Sequence, residues 1–287
     1  MPVTRNKPFK DNNQNGIVYL VATPIGNIED MSIRGINILK QADIILAEDT
    51  RNTGILLKRL DITPKRLLSC YSQKEEQVAT KILQEVKDNN LTLAFVSDAG
   101  TPGISDPGAL LVLKAIENDI PVSSILGPAA LIQGLIMSGF DTSDFSFYGF
   151  LPTKDSEKRE FLEKLVDRKE TLIFYESVHR IKKTLQVMAS VFNSRQAVIC
   201  RELSKIYEEY IRGSLDELAN IDEENLLGEF VIVIQGNTSS QEYDDQFILL
   251  KAKKLEELGY SSKEISKILS EILDISKNYI YKLLQDK

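Results

Sequence analysis

Between Gly16 and Gly236 the chain alternates short apolar runs with stretches that repeat apolar residues every three or four positions. The short runs predict strands covered on both faces, and the longer repeats predict helices. In residues 16–138 strands and helices alternate, which indicates right-handed crossovers and a mostly parallel sheet. The predicted strands of this region are 17–22, 44–47, 67–71, 91–96 and 121–126, and its predicted helices are 30–41, 74–89 and 128–137.

A second α/β or α+β region follows a junction at 139–152 that is marked by glycine and proline. It occupies 153–236, and a helical region at 237–287 ends the chain. The last two helices resemble a helix-turn-helix; the alternative is a small helical cap. The polar residues 1–15 predict a flexible tail. The remaining predicted elements are helices at 157–168, 181–192, 214–220, 247–258, 262–273 and 276–284, and strands at 171–175, 197–203 and 229–235.

Composition narrows the class of protein. No apolar run approaches the roughly 18 residues of a membrane span, and the polar start does not fit a signal peptide, so we expect a cytoplasmic protein without membrane partners. Cys70 and Cys200 lie in apolar runs and predict core thiols, and the single histidine, His179, argues against a metal site. The net charge of −7 does not itself suggest RNA, although residues 251–287 carry eight lysines against six acidic residues.

Glycine, proline and small polar residues follow four of the predicted strands, at 23–27, 48–54, 97–108 and 127–130. One such segment would be an ordinary turn. Because ligands of open α/β sheets bind beyond the carboxyl ends of the strands, four on one edge predict a binding cleft. The chain contains neither GxGxxG after its first strand nor GxxxxGK[ST], which excludes the usual dinucleotide site and the P-loop.

Six motifs in fixed order resemble the RsmI family, the 16S rRNA 2′-O-ribose cytidine methyltransferases of the tetrapyrrole-methylase superfamily. The resemblance spans roughly residues 16–236. Within this range the sequence differs from the family's pattern only locally, at Ala129, Val178 and Ser204. It implies two tetrapyrrole-methylase-type α/β domains with S-adenosylmethionine between them, a homodimer, and a decoding-region cytidine of the 30S subunit as target. The motifs are VATPIGNIEDMS (21–32), LAEDTRNTG (46–54), VSDAGTPGISDPG (96–108), GFLP (149–152), IFYESVHR (173–180) and RELSKIYEE (201–209).

The resemblance and the cleft together assign cofactor-binding residues. Asp98 resembles the acidic residue of the superfamily's cofactor loop, or it caps its own loop. By the same resemblance Tyr175 lies near the adenine, or it is a core aromatic. The segment 24–26 forms another wall of the cofactor site, or it is a plain strand-to-helix turn. The segment 127–130 opens a helix with Pro128 at its first position. The predicted set is Pro24, Ile25, Gly26, Asp98, Gly100, Thr101, Gly127, Pro128, Ala129 and Tyr175.

A ribose hydroxyl is a poor nucleophile, so a base that takes its proton should help. Glu48 and Asp49 are the leading candidates because they lie at the cleft edge. Arg51 suits an RNA phosphate, with an Asp49–Arg51 ion pair as the alternative. These three residues form the predicted catalytic group.

Four residues of the second region are predicted to bind substrate. Glu176, His179 and Arg180 follow a strand together, and His179 is a rival base or else a cap or a packed polar residue. Lys205 contacts RNA or is a solvated surface lysine. Two other functions remain open: methylation of a tetrapyrrole carbon on the same fold, and a ribosome-assembly factor that grips RNA without catalysis.

Overall fold

The computed structural model describes residues 15–70, 75–222, 227–238, 244–273 and 275–285. The chain forms two compact units that divide after Gly236. The predicted tail lies outside the described residues except for Asn15, as do residues 71–74, which include the end of the third predicted strand and the start of the helix after it.

The first sheet is wholly parallel, as the alternation of apolar runs predicts. Its strands are β1 (Ile17–Val21), β2 (Ile44–Ala47), β3 (Leu67–Ser69), β4 (Thr92–Val96) and β5 (Val122–Ile125). Their order is β3-β2-β4-β1-β5, so the loops after β4, β1 and β5 leave neighbouring strands at one edge. The helices of this half are α1 (Ile33–Gln41), α2 (Thr50–Arg59), α3 (Glu75–Asp88), α4 (Ala109–Glu117) and α5 (Ala130–Ser138).

Capping explains where these helices differ from the predictions. The segment 48–54 is not a loop, because Asp49 accepts a hydrogen bond from the Arg51 N–H at 2.8 Å and caps α2. α1 starts later than predicted because Ser32 caps it by accepting from Gly35 N at 3.1 Å. Pro128 is not the first residue of α5, which begins at Ala130. Neither α2 nor α4 was predicted.

The second sheet is mixed. Its strands are β6 (Phe145–Phe150), β7 (Thr171–Ser177), β8 (Gln196–Arg201), β9 (Glu209–Ser214) and β10 (Glu229–Ile234), and its helices are α6 (Asp155–Glu163), α7 (Ile181–Phe192) and α8 (Leu215–Leu218). The strand order is β6-β7-β10-β8-β9; β6 and β7 run parallel, and the other neighbours are antiparallel. β6 and β9 were not predicted.

Both faces of the second sheet are buried. The even positions of β7 and β10, such as Phe174 and Ile232, share one core cluster with residues of α7 and α8. The opposite face packs against α5, where a Cβ on Gly134 would lie only 2.9 Å from Cγ1 of Val231. Helix α5 therefore links the first half of the unit to the second sheet. Cys70 and Cys200 are free and buried, which confirms the prediction of core thiols.

The described residues of the C-terminal unit form three helices, which confirms the predicted helical region: α9 (Asp245–Glu257), α10 (Ser262–Leu273) and α11 (Lys277–Gln285). They surround a small core of their own, formed by Ile248, Ala252, Ile265, Leu269 and Ile280. Within the described ranges, every helix lacks the combination of length and apolar character that crossing a bilayer requires.

Candidate functional site

Hydrogen bonds join the loops after three neighbouring strands. Thr23, after β1, and Gly100, after β4, exchange N–H···O bonds of 2.9 and 3.0 Å. Gly100 has a φ of +75°, a conformation that favours glycine. Thr101 then donates its hydroxyl to the Pro128 carbonyl at 3.0 Å, which ties in the loop after β5. The predicted clustering of these loops on one edge of the sheet is therefore confirmed.

These loops form one side of a cavity of about 300 Å³, and the second sheet forms the other side. This volume is at the lower end of the range for small-molecule sites. The predicted site residues that line it are Ile25, Gly100, Thr101, Ala129, Tyr175 and Glu176. The lining residues that were not predicted are Ala99, Ile104, Ser105, Asp106, Ala130, Leu131, Phe150, Ser177, Leu203, Glu229, Phe230 and Val231.

Tyr175 connects the two sides of the cavity. Its hydroxyl oxygen accepts a hydrogen bond from Leu131 N at 3.1 Å and so caps α5, whose own N-cap residue supplies no side-chain bond. Burial raises the pKa of Tyr175, which keeps the phenol neutral. The rings of Phe147 and Phe150 lie edge-on to it, with centroids at 4.8 and 5.6 Å.

The other predicted cofactor residues do not line the cavity. A Cβ on Gly127 would lie 2.8 Å from Cβ of Ala22, and a Cβ on Gly26 would lie 2.4 Å from Cγ of Lys205. These two glycines permit close packing between segments, while Pro24 and Pro128 flank the same loops. Asp98 is exposed and accepts a hydrogen bond from Asn52 Nδ2 at 2.8 Å.

Three carboxyl groups form an acidic cluster at the edge of the cavity: Glu48, Asp98 and Asp106. Glu48 accepts a hydrogen bond from the Asp98 backbone N–H at 3.3 Å. Burial, together with the charges of Asp98 and Asp49, raises the pKa of Glu48. Burial and the charges of Glu48 and Asp98 raise the pKa of Asp106 to about 6.

Asp49 differs from Glu48 in its hydrogen-bond partners and in the direction in which its pKa is shifted. Its carboxylate lies 2.6 Å from Arg51 Nη2 and also accepts from the Arg51 side-chain Nε. The hydrogen bonds to Arg51 lower the pKa of Asp49 to about 2. The structure thus shows the ion pair that was the alternative for these two residues, and an ionised carboxylate held in this way is a weak base.

Glu176 belongs to a buried polar network. Although it lines the cavity, its carboxylate accepts from Thr184 Oγ1 at 2.6 Å and from Ser177 N at 2.8 Å. Thr184 in turn accepts from the buried Lys158 Nζ at 2.9 Å. Arg180 Nε lies 3.3 Å from Glu176 and its Nη2 donates to the carbonyls of 151 and 152. Glu176 and Arg180 thereby hold the junction to the end of β7.

The other two predicted substrate residues lie apart. His179 is exposed, directly after β7. Lys205 is neither free nor simply solvated, because its ammonium group contacts Glu202 at 2.9 Å and Glu229 at 2.8 Å. Its stem covers Gly26, so Lys205 contributes to the contact between loops 24–26 and 202–205.

Asp106 is the most informative lining residue that sequence reasoning missed. It lies in the motif 96–108, in which only Asp98 was predicted as an acidic site residue. A second acidic residue flanked by glycine and proline in the same cleft loop was the available signal. The residues from β10 and α5 gave no such signal, since they are ordinary apolar positions.

Comparison with known proteins identifies the family. The family model for tetrapyrrole (corrin/porphyrin) methylases matches residues 17–219. Ribosomal RNA small subunit methyltransferase I of Halalkalibacterium halodurans is 41% identical over 96% of both chains, and the protein of that name from Streptococcus pyogenes serotype M3 is 40% identical over 98% of both. The chain belongs to the ribosomal RNA small subunit methyltransferase I family of tetrapyrrole methylases.

A solved structure of another methyltransferase shares this fold. Uroporphyrin-III C-methyl transferase from Thermus thermophilus, complexed with S-adenyl homocysteine, matches 77% of this methylase with a TM-score of 0.54 at 17% identity, and 97% of that chain is covered. At this identity the likeness establishes the fold. The predicted architecture of two tetrapyrrole-methylase-type α/β regions followed by helices is confirmed.

Proposed function

We propose that this methylase transfers a methyl group from S-adenosylmethionine to the ribose 2′-hydroxyl of a cytidine in the decoding region of 16S rRNA. The observation that carries the proposal is the cavity at the carboxyl edge of the parallel sheet, with an acidic cluster at its rim. The curated relatives, which match nearly the full chain, are named as small-subunit rRNA methyltransferases.

The cavity fits this cofactor by size and by chemistry. Ile25, Leu203 and Val231 offer apolar walls for an adenine ring, and Tyr175 adds an aromatic edge. Main-chain groups of Gly100 and neighbouring loop residues line the same space without bulky side chains. The nearby carboxylates favour a ligand that carries positive charge. A protein of the same fold is complexed with S-adenyl homocysteine, which is what remains of the donor after methyl transfer.

The residues of the chain orient the reactants and receive the proton. When bound, S-adenosylmethionine supplies a methyl group that is activated by a positively charged sulfur. The bonded loops after β1, β4 and β5 fix one wall of the cavity, and the second sheet excludes water from the other side. The proton of the ribose hydroxyl passes to the acidic cluster as the hydroxyl oxygen attacks.

The RNA substrate and the assembly state complete the proposal. Arg51 has an 87% exposed side chain beside the cluster and can contact a phosphate while it remains paired to Asp49. Helix α5 is apolar on its outer side as well, with Ile132 and Ile136 one turn apart and 43% and 62% exposed. Such a face suits burial in a homodimer. We place this homodimer in the cytoplasm, with the 30S subunit as its partner.

The decisive experiment supplies methyl-labelled S-adenosylmethionine to the purified protein with 30S particles that lack the modification. We expect label in 16S rRNA, and nuclease digestion followed by mass spectrometry should show one 2′-O-methylcytidine. Free 16S rRNA and uroporphyrinogen III serve as alternative acceptors in parallel reactions.

Each outcome separates one function from another. Label on the tetrapyrrole but not on RNA would indicate the carbon methylase. Tight binding to 30S particles without transfer to any acceptor would indicate an assembly factor. Label on the cytosine base would refute the choice of the ribose hydroxyl.

A further inference from the structure

Asp106 is distinguished from the other acidic residues of the cavity wall by its lack of a partner. Glu176 is bonded to Thr184, and Glu229 is paired with Lys205. Among the described residues, Asp106 has no hydrogen-bond or ion-pair partner, although it is half-buried and lines the cavity. Its carboxylate is therefore available to a ligand.

The loop that carries Asp106 is held in a fixed shape. Gly103 N donates to the Pro107 carbonyl at 3.0 Å and closes a tight turn around it. Ser105, with a φ of +62°, adopts the left-handed conformation that is costly for a residue with a side chain. At the far end, the buried carboxylate of Glu75 accepts from Gly108 N at 2.9 Å and from Leu111 N at 3.1 Å. A catalytic group needs such preorganisation.

We propose that Asp106 is the general base that accepts the proton of the ribose 2′-hydroxyl. This rests on the proposed function. In the step, the Asp106 carboxylate takes the hydroxyl proton, the ribose oxygen forms a bond to the methyl carbon, and the carbon–sulfur bond breaks with its electron pair remaining on sulfur. The proposal places the base at Asp106 rather than at Glu48 or Asp49, which do not line the cavity.

Electrostatics suit Asp106 to this role. The groups that act on it are Glu48 from the end of β2 and Asp98 from the end of β4, and Tyr175 faces it from β7. With a pKa of about 6, the carboxyl is mostly ionised at pH 7.5 yet more basic than an ordinary aspartate. The rate should therefore rise with pH through about 6 and level off above it.

The test uses Asp106→Asn in the full chain, with Glu117→Gln on the exposed outer face of α4 as the matched control. In single-turnover methyl transfer to 30S particles we expect Asp106→Asn to lower the rate by about 10²–10⁴-fold. Its Kd for S-adenosylmethionine, measured by calorimetry, should stay within about threefold, which is under 1 kcal/mol. Asp106→Glu should restore part of the rate, while Glu117→Gln should match the unaltered chain.

The melting temperature, measured without substrate as a function of pH, checks whether the pKa of Asp106 is raised. Asp106 has a raised pKa in the folded state, so its contribution to stability is present below pH 4 and is lost as the pH rises towards about 6. Asp106→Asn should therefore raise the melting temperature at pH 7.5 and flatten its fall between pH 4 and 6.

Three results would overturn the inference. A Kd raised tenfold or more in Asp106→Asn would make Asp106 a cofactor-binding residue instead. A retained rate, or a retained pH profile at a lower rate, would assign the proton to another group. If the unaltered chain transfers methyl to 30S particles and Asp106→Asn does so equally well, only the inference fails; if the unaltered chain transfers none, the proposed function fails as well.

Discussion

Gly26 marks the closest approach between loops 24–26 and 202–205, and Gly26→Ala tests whether this contact shapes the cavity. The added Cβ would lie 2.4 Å from Cγ of Lys205 and 3.0 Å from the backbone of Ser204. Neither is the far end of a flexible side chain, so one loop must move. The neighbours of this contact, Ile25 and Leu203, both line the cavity.

The magnitude follows from the cost of overpacking. Forcing a methyl group into a close-packed contact costs about 2 kcal/mol. In a unit of this size that lowers the melting temperature by about 4–8 °C. Because Ile25 and Leu203 would separate, we expect affinity for S-adenosylmethionine to fall about tenfold, or about 1.4 kcal/mol.

The matched control is Gly54→Ala, which should have the opposite effect. Gly54 lies inside α2, and a Cβ there would meet nothing within 4 Å. Replacing a helical glycine with alanine stabilises by about 1 kcal/mol, which raises the melting temperature by about 2–4 °C. Calorimetric melting and titration with S-adenosylmethionine measure both variants. If Gly26→Ala melts and binds like the unaltered chain, loops 24–26 and 202–205 do not pack closely against each other.

Three further predictions concern other parts of the molecule. Tyr175→Phe removes the acceptor of the Leu131 N–H, so the free energy of unfolding in urea should fall by about 1–2 kcal/mol and affinity for S-adenosylmethionine should weaken; unchanged stability would contradict the cap. Arg51→Gln should reduce the dependence of log RNA affinity on log salt by about one, with the affinity for S-adenosylmethionine unchanged; an unaltered salt slope would exclude a phosphate contact. In α10, Leu269→Ala should destabilise the helical unit by about 2–5 kcal/mol and Ile272→Ala by less than about 0.5, as judged by hydrogen exchange; equal effects would contradict the assigned core.

Elements whose periodicity carries the whole signal could be predicted from the sequence. The strand at 44–47 and the helices at 181–192 and 262–273 have the same bounds in the structure as in the pattern. The elements that were missed have mixed signals. The aromatic strand β6 lies inside the segment 139–152, where glycine and proline predicted a junction, and β9 is a half-buried edge strand with few apolar residues.

The site was predictable in its location but not in its contacts. The loop motifs indicate the edge of the sheet because parallel strands bring their carboxyl ends together. The bond from Leu131 to Tyr175 joins residues 44 positions apart. The pKa of Asp106 is raised by burial and then by the charge of Glu48, which comes near only because β2 and β4 are neighbours. No local pattern contains either relation.

The acidic cluster sets function against stability. Burial and neighbouring negative charges raise the pKa of Glu48 and of Asp106, so ionising these two carboxyls at neutral pH weakens the fold. A positively charged ligand in the cavity relieves that repulsion and lowers the pKa of both carboxyls. By linkage, the ionised cluster then binds such a ligand slightly more tightly, so affinity for S-adenosylmethionine should rise with pH between about 5 and 7 by about threefold at most, the limit expected for Asp106→Asn. The neutral S-adenosyl homocysteine sulfur lacks this attraction, and the same carboxylates that destabilise the fold therefore favour the charged donor over the spent product.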